Sequence, residues 1–262
     1  MKFETLEFEV REGVAHLVLN RPEAANAINL AMGRELMQAA LFCDEDPGIR
    51  AVRIAANGKM FCSGGDLAAF ADAGDAMPRL LKELTTYLHA AISRFARGNA
   101  PVVAAVGGAA AGAGFSLTTA ADLVIASESA RFTLAYTQVG LTPDGSSTHF
   151  LPRLVGHRRS LELMLLNPVL KAREALDWGL VNRVVADDEL EAESTALAER
   201  LAAGPTLAYG ATKRLLAASA PSALETQMEL ESRAIADAAR TRDAKAGIKA
   251  FFAREKPTFR GE

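Results

Sequence analysis

Asp144 is a lone carboxylate in the turn-forming run Leu141-Thr142-Pro143-Asp144-Gly145-Ser146-Ser147, among apolar and small neighbours. In a nearly dry apolar setting a carboxylate's pKa rises to where it can take and return a proton. Pro-Asp-Gly also makes an ordinary turn, and the residues alone leave both readings open. Upstream lies an apolar strand, Val102 to Val106, then Gly107-Gly108-Ala109-Ala110-Ala111-Gly112-Ala113-Gly114 and a helix-like segment from Phe115 to Ala121. A helix that starts straight after glycines presents unpaired N–H groups and the positive end of its dipole, which makes a ready anion site. The same glycines serve equally well for close strand–helix packing. Met60-Phe61-Cys62-Ser63-Gly64-Gly65-Asp66-Leu67 repeats the order of strand, small-residue loop and helix. The chemical reading is that the glycine run holds a developing oxyanion and Asp144 moves a proton.

Two nucleotide motifs fail on specific residues. In Gly112-Ala113-Gly114-Phe115-Ser116-Leu117 the third glycine of the dinucleotide fingerprint is Leu117, and the ribose-binding acid expected further on is not evident. Gly107 to Gly112 has phosphate-loop spacing, but Ala113-Gly114 stand where Lys and Ser/Thr are required. Cys43 and Cys62 are too few for a disulfide framework and are not in a metal-type pairing. His149 and His157, near Arg153, Arg158 and Arg159, read as a solvated face or a subunit contact, and Trp178 as core.

The elements that must position these residues follow from periodicity. Phe8 and Val10, then Val14, His16 and Val18, alternate around Glu12-Gly13 and predict a hairpin. Asn29 is the expected N-cap of a helix carrying Leu30, Met32, Leu36, Ala40 and Leu41 on one face. A strand is expected over Ala51 to Ala55. Leu80, Leu84, Leu88, Ile92 and Phe95 mark an amphipathic helix from Met77 to Arg97, with His89 flanking its apolar stripe. Short strands are expected at Leu123 to Ala126 and Arg131 to Phe132. From Ser160 the pattern is helical, with Gly204-Pro205 as the clearest boundary and three helices beyond it. The organisation expected is an α/β core over 1–200 and a helical region over 201–262.

Composition narrows the class. The chain has 262 residues, half of them hydrophobic, and a net charge of -3, with no Lys/Arg cluster of the kind that binds nucleic acid. No apolar run approaches the ~20 residues that span a bilayer. The start, Met1-Lys2-Phe3-Glu4, lacks the apolar segment of a secretory signal, so a reduced cytoplasm is the expected compartment.

The ordered matches Arg21-Pro22 with Asn26-Ala27, Phe61 to Leu67, Pro101 to Val106 with the glycine run, Ala121-Asp122-Leu123, Ala130-Arg131-Phe132, Leu151 to Gly156, Ala175 to Val181 and Ala250-Phe251-Phe252 extend over essentially the full length. On these the chain resembles the crotonase, or enoyl-CoA hydratase/isomerase, superfamily. The resemblance implies a spiral of ββα units, a helical C-terminal trimerisation region and a homotrimer or dimer of trimers. It implies an acyl-CoA thioester as substrate, with coenzyme A as part of the substrate and no separate cofactor or metal. It places the oxyanion hole on the backbone N–H groups of Gly65 and Ala113, and Ser63, Gly64, Asp66 and Leu67 along the adenine and pantetheine. Lys249 and Phe252 are further candidates to reach CoA.

Departures from the family pattern decide more than the matches. The two glutamates of its hydratases align with Ser116 and Tyr136, neither an efficient carboxylate base, so both are expected to border substrate instead. Asp144 falls where the family's single-acid 3-enoyl-CoA isomerases carry their Asp or Glu. By resemblance one branch, the 4-chlorobenzoyl-CoA dehalogenases, uses an aspartate at this place as nucleophile, and His89 then matches its base. The expected activity is an isomerase that shifts a carbon–carbon double bond from the 3-enoyl to the 2-enoyl position, in fatty or aromatic acid catabolism. The alternatives are an enoyl-CoA hydratase or other lyase, a dehalogenase, and a non-catalytic binding scaffold.

Overall fold

A computed structural model describes residues 2–262. The chain opens with an antiparallel hairpin, β1 (Leu6–Arg11) and β2 (Val14–Leu19), turning at Glu12 and Gly13, both at positive φ. Helix α1 (Leu30–Glu45) starts where expected, because the Asn29 side chain accepts the Met32 N–H. Its inner face carries Met32, Leu36, Ala39, Ala40 and Cys43, whereas Leu41, expected on that face, is exposed. Strands β3 (Ala51–Ala56) and β4 (Met60–Cys62) lead through the first glycine loop to α2 (Leu67–Asp72) and the long α3 (Met77–Arg97). Leu84, Leu88, Ala91, Ile92 and Phe95 of α3 are buried, and the helix packs along α1.

Strand β5 (Val102–Val106) is buried throughout, as its unbroken Val/Ala run dictates for a central parallel strand. The glycine run after it is not a plain loop. Ala109–Ala111 form a short strand, β6, before α4 (Ala113–Ala120). Next come β7 (Leu123–Ser127), β8 (Arg131–Thr133), α5 (Ser147–Val155) and α6 (His157–Leu166). They are followed by β9 (Leu170–Lys171), α7 (Ala172–Asp177), β10 (Arg183–Val185) and α8 (Leu190–Ala202). Helix α5 and strands β4, β6, β9 and β10 are additions to the sequence expectation, which has Met60 to Cys62 in the glycine-bearing loop.

Two sheets result, ordered β1-β2-β3-β5-β7-β10 and β4-β6-β8-β9. Pairing from β2 through β10 in the larger sheet is parallel, as is β4-β6-β8 in the smaller. Each strand–loop–strand–helix turn adds one strand to each sheet, so the loops after β4 and β6 come to lie side by side.

Gly204-Pro205 separates α8, which lies on β3 and β5, from α9 (Thr206–Ser219), α10 (Leu224–Arg240) and α11 (Arg242–Ala253). Lys213 fastens α9 to the core: its ammonium donates to the carbonyls of Phe95 (2.8 Å) and Ala100 (3.0 Å) and pairs with Asp122 at 2.7 Å. Burial pushes the lysine pKa down and the Asp122 pKa up, and their mutual attraction opposes both shifts. Helix α10 has no buried residue, and Leu224, Met228, Ile235, Ile248, Phe251 and Phe252 are exposed. Among the described residues, no helix is long and apolar enough to cross a membrane.

Candidate active site

The loops after β4 and β6 touch through their backbones. A Cβ on Gly64, which sits at φ +107°, would lie 3.2 Å from the Ala111 carbonyl oxygen and 3.4 Å from the Ala113 nitrogen. Across the contact, Gly112 caps α4 at φ +49°. Both positions combine a left-handed backbone with close approach, the combination that glycine alone tolerates well. Seen this way, the packing and anion readings of these glycines are two consequences of one geometry.

The contact fixes where two N–H groups point. Ile28 and Gly65 form a parallel bridge, in which the Ile28 N–H donates to Gly64 O (2.8 Å) and the Asp66 N–H to Ile28 O (3.1 Å). The Gly65 N–H therefore faces away from Ile28, since successive peptide groups of an extended strand point to opposite sides. Ala113 is the first residue of α4, so its N–H is one of the unpaired donors at a helix start. Gly65 and Ala113 both line a cavity of about 350 Å³. Its wall also includes Ser63, Gly64, Leu67, Phe70, Leu84, Leu88, Leu134, Leu141, Tyr136 and Asp144. Among the described residues, Asp144 supplies the one carboxylate of that wall.

Asp144 is positioned from both ends. Its carbonyl accepts the N–H (3.2 Å) and hydroxyl (2.9 Å) of Ser147 at the start of α5, while Gly145 and Ser146 both take positive φ. Its carboxylate Oδ1 accepts the Tyr136 hydroxyl at 2.5 Å, and Oδ2 lies 3.6 Å from His89 Nε2. Burial foremost, and then the Asp144 charge, push the Tyr136 phenol well above its ordinary pKa, so it stays protonated and donates. His89 Nε2 accepts the Gly145 N–H at 3.2 Å, which ties the ring to the turn that carries Asp144.

Three residues expected to border substrate lie outside the cavity lining. Ser116 is fully buried behind Tyr136, with its Oγ 3.1 Å from the phenol oxygen. His89 contacts the Asp144 loop from α3, with its side chain half exposed. Asp66 turns away: its carboxylate caps α2 through the Ala69 N–H (3.2 Å) and pairs with Arg21 at 3.1 Å. Lys249 and Phe252 on α11 are likewise absent from the lining. Phe70, which sequence reasoning missed, covers Gly65 so closely that a Cβ there would meet its ring at 2.7 Å. No short motif announces that contact, because it depends on how α2 folds back over its own loop. Cys62 is buried, and desolvation pushes its thiol pKa up to about 12, which removes it as a nucleophile.

The arrangement offers two main-chain donors beside one carboxylate in an apolar cavity. It can polarise a carbonyl oxygen and exchange a proton at a neighbouring carbon.

Comparison with known proteins identifies the family. Residues 9–262 match the family Enoyl-CoA hydratase/isomerase. A Rhodobacter capsulatus protein named Probable enoyl-CoA hydratase is 39% identical over 261 residues, covering 100% of both chains. The 1,2-epoxyphenylacetyl-CoA isomerase of Escherichia coli is 36% identical over 254 residues, 97% of each chain. The crystal structure of an enoyl-CoA hydratase from Polaromonas sp. JS666 superposes with a TM-score of 0.92 at 30% identity, covering 97% of this chain and 99% of that one. From its glycine loops to its C-terminal helices, this chain is a member of the enoyl-CoA hydratase/isomerase family of enzymes.

Proposed function

We propose that the protein is an acyl-CoA isomerase that moves a double bond from the 3-enoyl to the 2-enoyl position. Asp144 takes a proton from C2 of the thioester, and the electrons delocalise into a dienolate. The charge gathers on the thioester oxygen, where the N–H groups of Gly65 and Ala113 stabilise it; one such donor is worth ~3–4 kcal/mol of barrier. Asp144 then returns the same proton at C4, so no second acid, cofactor or metal is required. The coenzyme A moiety arrives with the substrate along Ser63, Gly64 and Leu67.

The observation carrying this reading is that, among the described residues, Asp144 is the sole carboxylate in the cavity wall; by resemblance, Ser116 and Tyr136 stand in the places of the hydratase glutamates. The E. coli isomerase relative is in keeping with it. The exposed apolar side chains of α10 and α11 support assembly as a trimer, and the free thiols of Cys43 and Cys62 support a reducing cytoplasm. The test is Asp144→Asn against a panel of 3-enoyl-CoA esters, with products read by mass spectrometry. A loss of at least ~10²-fold is expected. Retained isomerisation would sink the assignment, and 3-hydroxyacyl-CoA formed from crotonyl-CoA at a comparable rate would favour a hydratase.

The 3.6 Å approach of His89 to Asp144 favours one second reading, attack by Asp144 on a haloaryl-CoA ring. Halide release from 4-chlorobenzoyl-CoA, with an aspartyl ester trapped on Asp144, would support it.

A further inference from the structure

Ser116 and Tyr136 stand where a hydratase would carry its acids, yet they are neither idle nor in contact with the cavity in the same way. The Tyr136 phenol uses its only hydrogen on Asp144 Oδ1, 2.5 Å away. Any hydrogen between the two hydroxyls, 3.1 Å apart, must therefore come from Ser116. That hydroxyl has a second acceptor within reach, the Gly112 carbonyl at 3.3 Å, and only one hydrogen to give. Ser116 is fully buried, so water does not substitute for either partner. The Gly112 carbonyl belongs to the same peptide unit as the Ala113 N–H, the proposed oxyanion donor.

Resting on the isomerase reading above, we propose that Ser116 and Tyr136 form a switchable hydrogen-bond relay joining the base to the oxyanion hole. While Asp144 is ionised, Ser116 donates to Tyr136 and Tyr136 to Oδ1, a cooperative chain ending on the negative charge. When Asp144 has taken the C2 proton, the charge resides on the thioester oxygen and the pull on Tyr136 weakens. Ser116 then turns to Gly112 O, which polarises the peptide and strengthens the Ala113 N–H where the charge now lies. No bond beyond the proton transfer itself is made or broken. Tyr136 and Ser116 are thus positioning residues, with donors that follow the charge.

The titratable groups within hydrogen-bond or ion-pair reach of the Asp144 carboxyl are Tyr136 from its turn and His89 from α3; α4 contributes Ser116, which does not titrate. The test is the pH profile of kcat/KM on a 3-enoyl-CoA for wild type, Tyr136→Phe and Ser116→Ala. It is repeated in a His89→Gln background so that imidazole titration is separated. Losing one hydrogen bond to a charged group raises the base's pKa, so Tyr136→Phe is expected to move the acid limb up by about one pH unit. Ser116→Ala is expected to move it less, and to lower kcat roughly two- to eightfold at unchanged KM, the effect of losing the polarisation of one donor.

An acid limb in Tyr136→Phe coincident with wild type, or an unchanged kcat in Ser116→Ala, overturns the relay. If Asp144→Asn is inactive in the same assay, that outcome leaves the isomerase reading standing, and if Asp144→Asn is active the isomerase reading itself has failed. Replacing the tyrosines with 3-fluorotyrosine, a stronger donor of nearly the same shape, covers the case in which Tyr136→Phe does not fold. The limb should then move to lower pH, and no movement counts against the relay.

Discussion

Asp66 and Asp144 are two aspartates near one cavity, but Asp66 turns away from it while Asp144 lines it, and their partners differ accordingly. Asp66 meets a full positive charge, Arg21 at 3.1 Å, and spends its other oxygen on the Ala69 N–H. Asp144 meets a neutral phenol on one oxygen, and its other oxygen lies 3.6 Å from the His89 imidazole. A carboxylate locked to a guanidinium with a filled acceptor set is a structural fastener; one held by a phenol in an apolar wall keeps a lone pair for chemistry. Removing the charge at each position should therefore produce opposite results. Asp144→Asn should abolish turnover at nearly unchanged melting temperature. Asp66→Asn keeps the helix cap, since asparagine caps as well, but leaves the mostly buried Arg21 without its counter-charge. That loss should cost about 1–3 kcal/mol, or roughly 2–10 °C of Tm, with kcat within about threefold of wild type. Calorimetry and a turnover assay on both variants would break the comparison if Asp66→Asn were the less active.

A smaller effect tests how firmly the wall around Asp144 is set. Gly145 approaches so closely that a Cβ there would sit 2.8 Å from Ser116 Cβ, and Tyr136 closes the other side. Restoring a hydratase-like acid by Ser116→Glu should therefore fail to restore hydration. Overpacking alone should cost about 1–3 kcal/mol, to which the buried carboxylate adds. Thermal denaturation together with a crotonyl-CoA hydration assay checks both parts; appearance of 3-hydroxyacyl-CoA in a folded variant would show the wall to be pliant.

What the sequence made legible was whatever rests on short-range patterns. The Asn29 cap, the α3 stripe and the all-apolar β5 each depend on residues within a few positions, and each forms as the pattern dictates. Elements shorter than their own signal were missed. Ala109–Ala111 is three alanines between glycines, and becomes a strand because β4 and β8 flank it; Arg183–Val185 is likewise recruited by β7. Helix α5 was hidden by Pro152, whose missing N–H normally argues against a helix interior. That Gly65, Ala113 and Asp144 would share one cavity wall was legible through the glycines and their place in the family pattern. The partners were not, because Ser116, Tyr136, His89 and Phe70 meet only through packing across separate turns of the spiral.

Cys62 supplies the smallest expected effect and completes the contrast between a residue near the cavity and one available to it. It directly precedes Ser63, a lining residue, yet the helix start covers it: a Cβ on Gly114 would lie 2.4 Å from its carbonyl oxygen and 2.9 Å from its sulfur. The same desolvation that pushes its pKa to about 12 also pushes the buried Cys43 to about 12. An ordinary thiol, with a pKa of about 8.5, is substantially ionised at pH 8, whereas a group at about 12 holds on the order of one part in ten thousand as thiolate. Iodoacetamide at that pH should accordingly leave activity within about twofold of the untreated enzyme, while mass spectrometry finds both thiols unmodified until the chain is unfolded. Rapid alkylation of Cys62 in the folded protein would mean that the glycine loops open toward solvent. The close contact of Gly64 with Gly112 would then be unable to hold the Gly65 and Ala113 donors fixed.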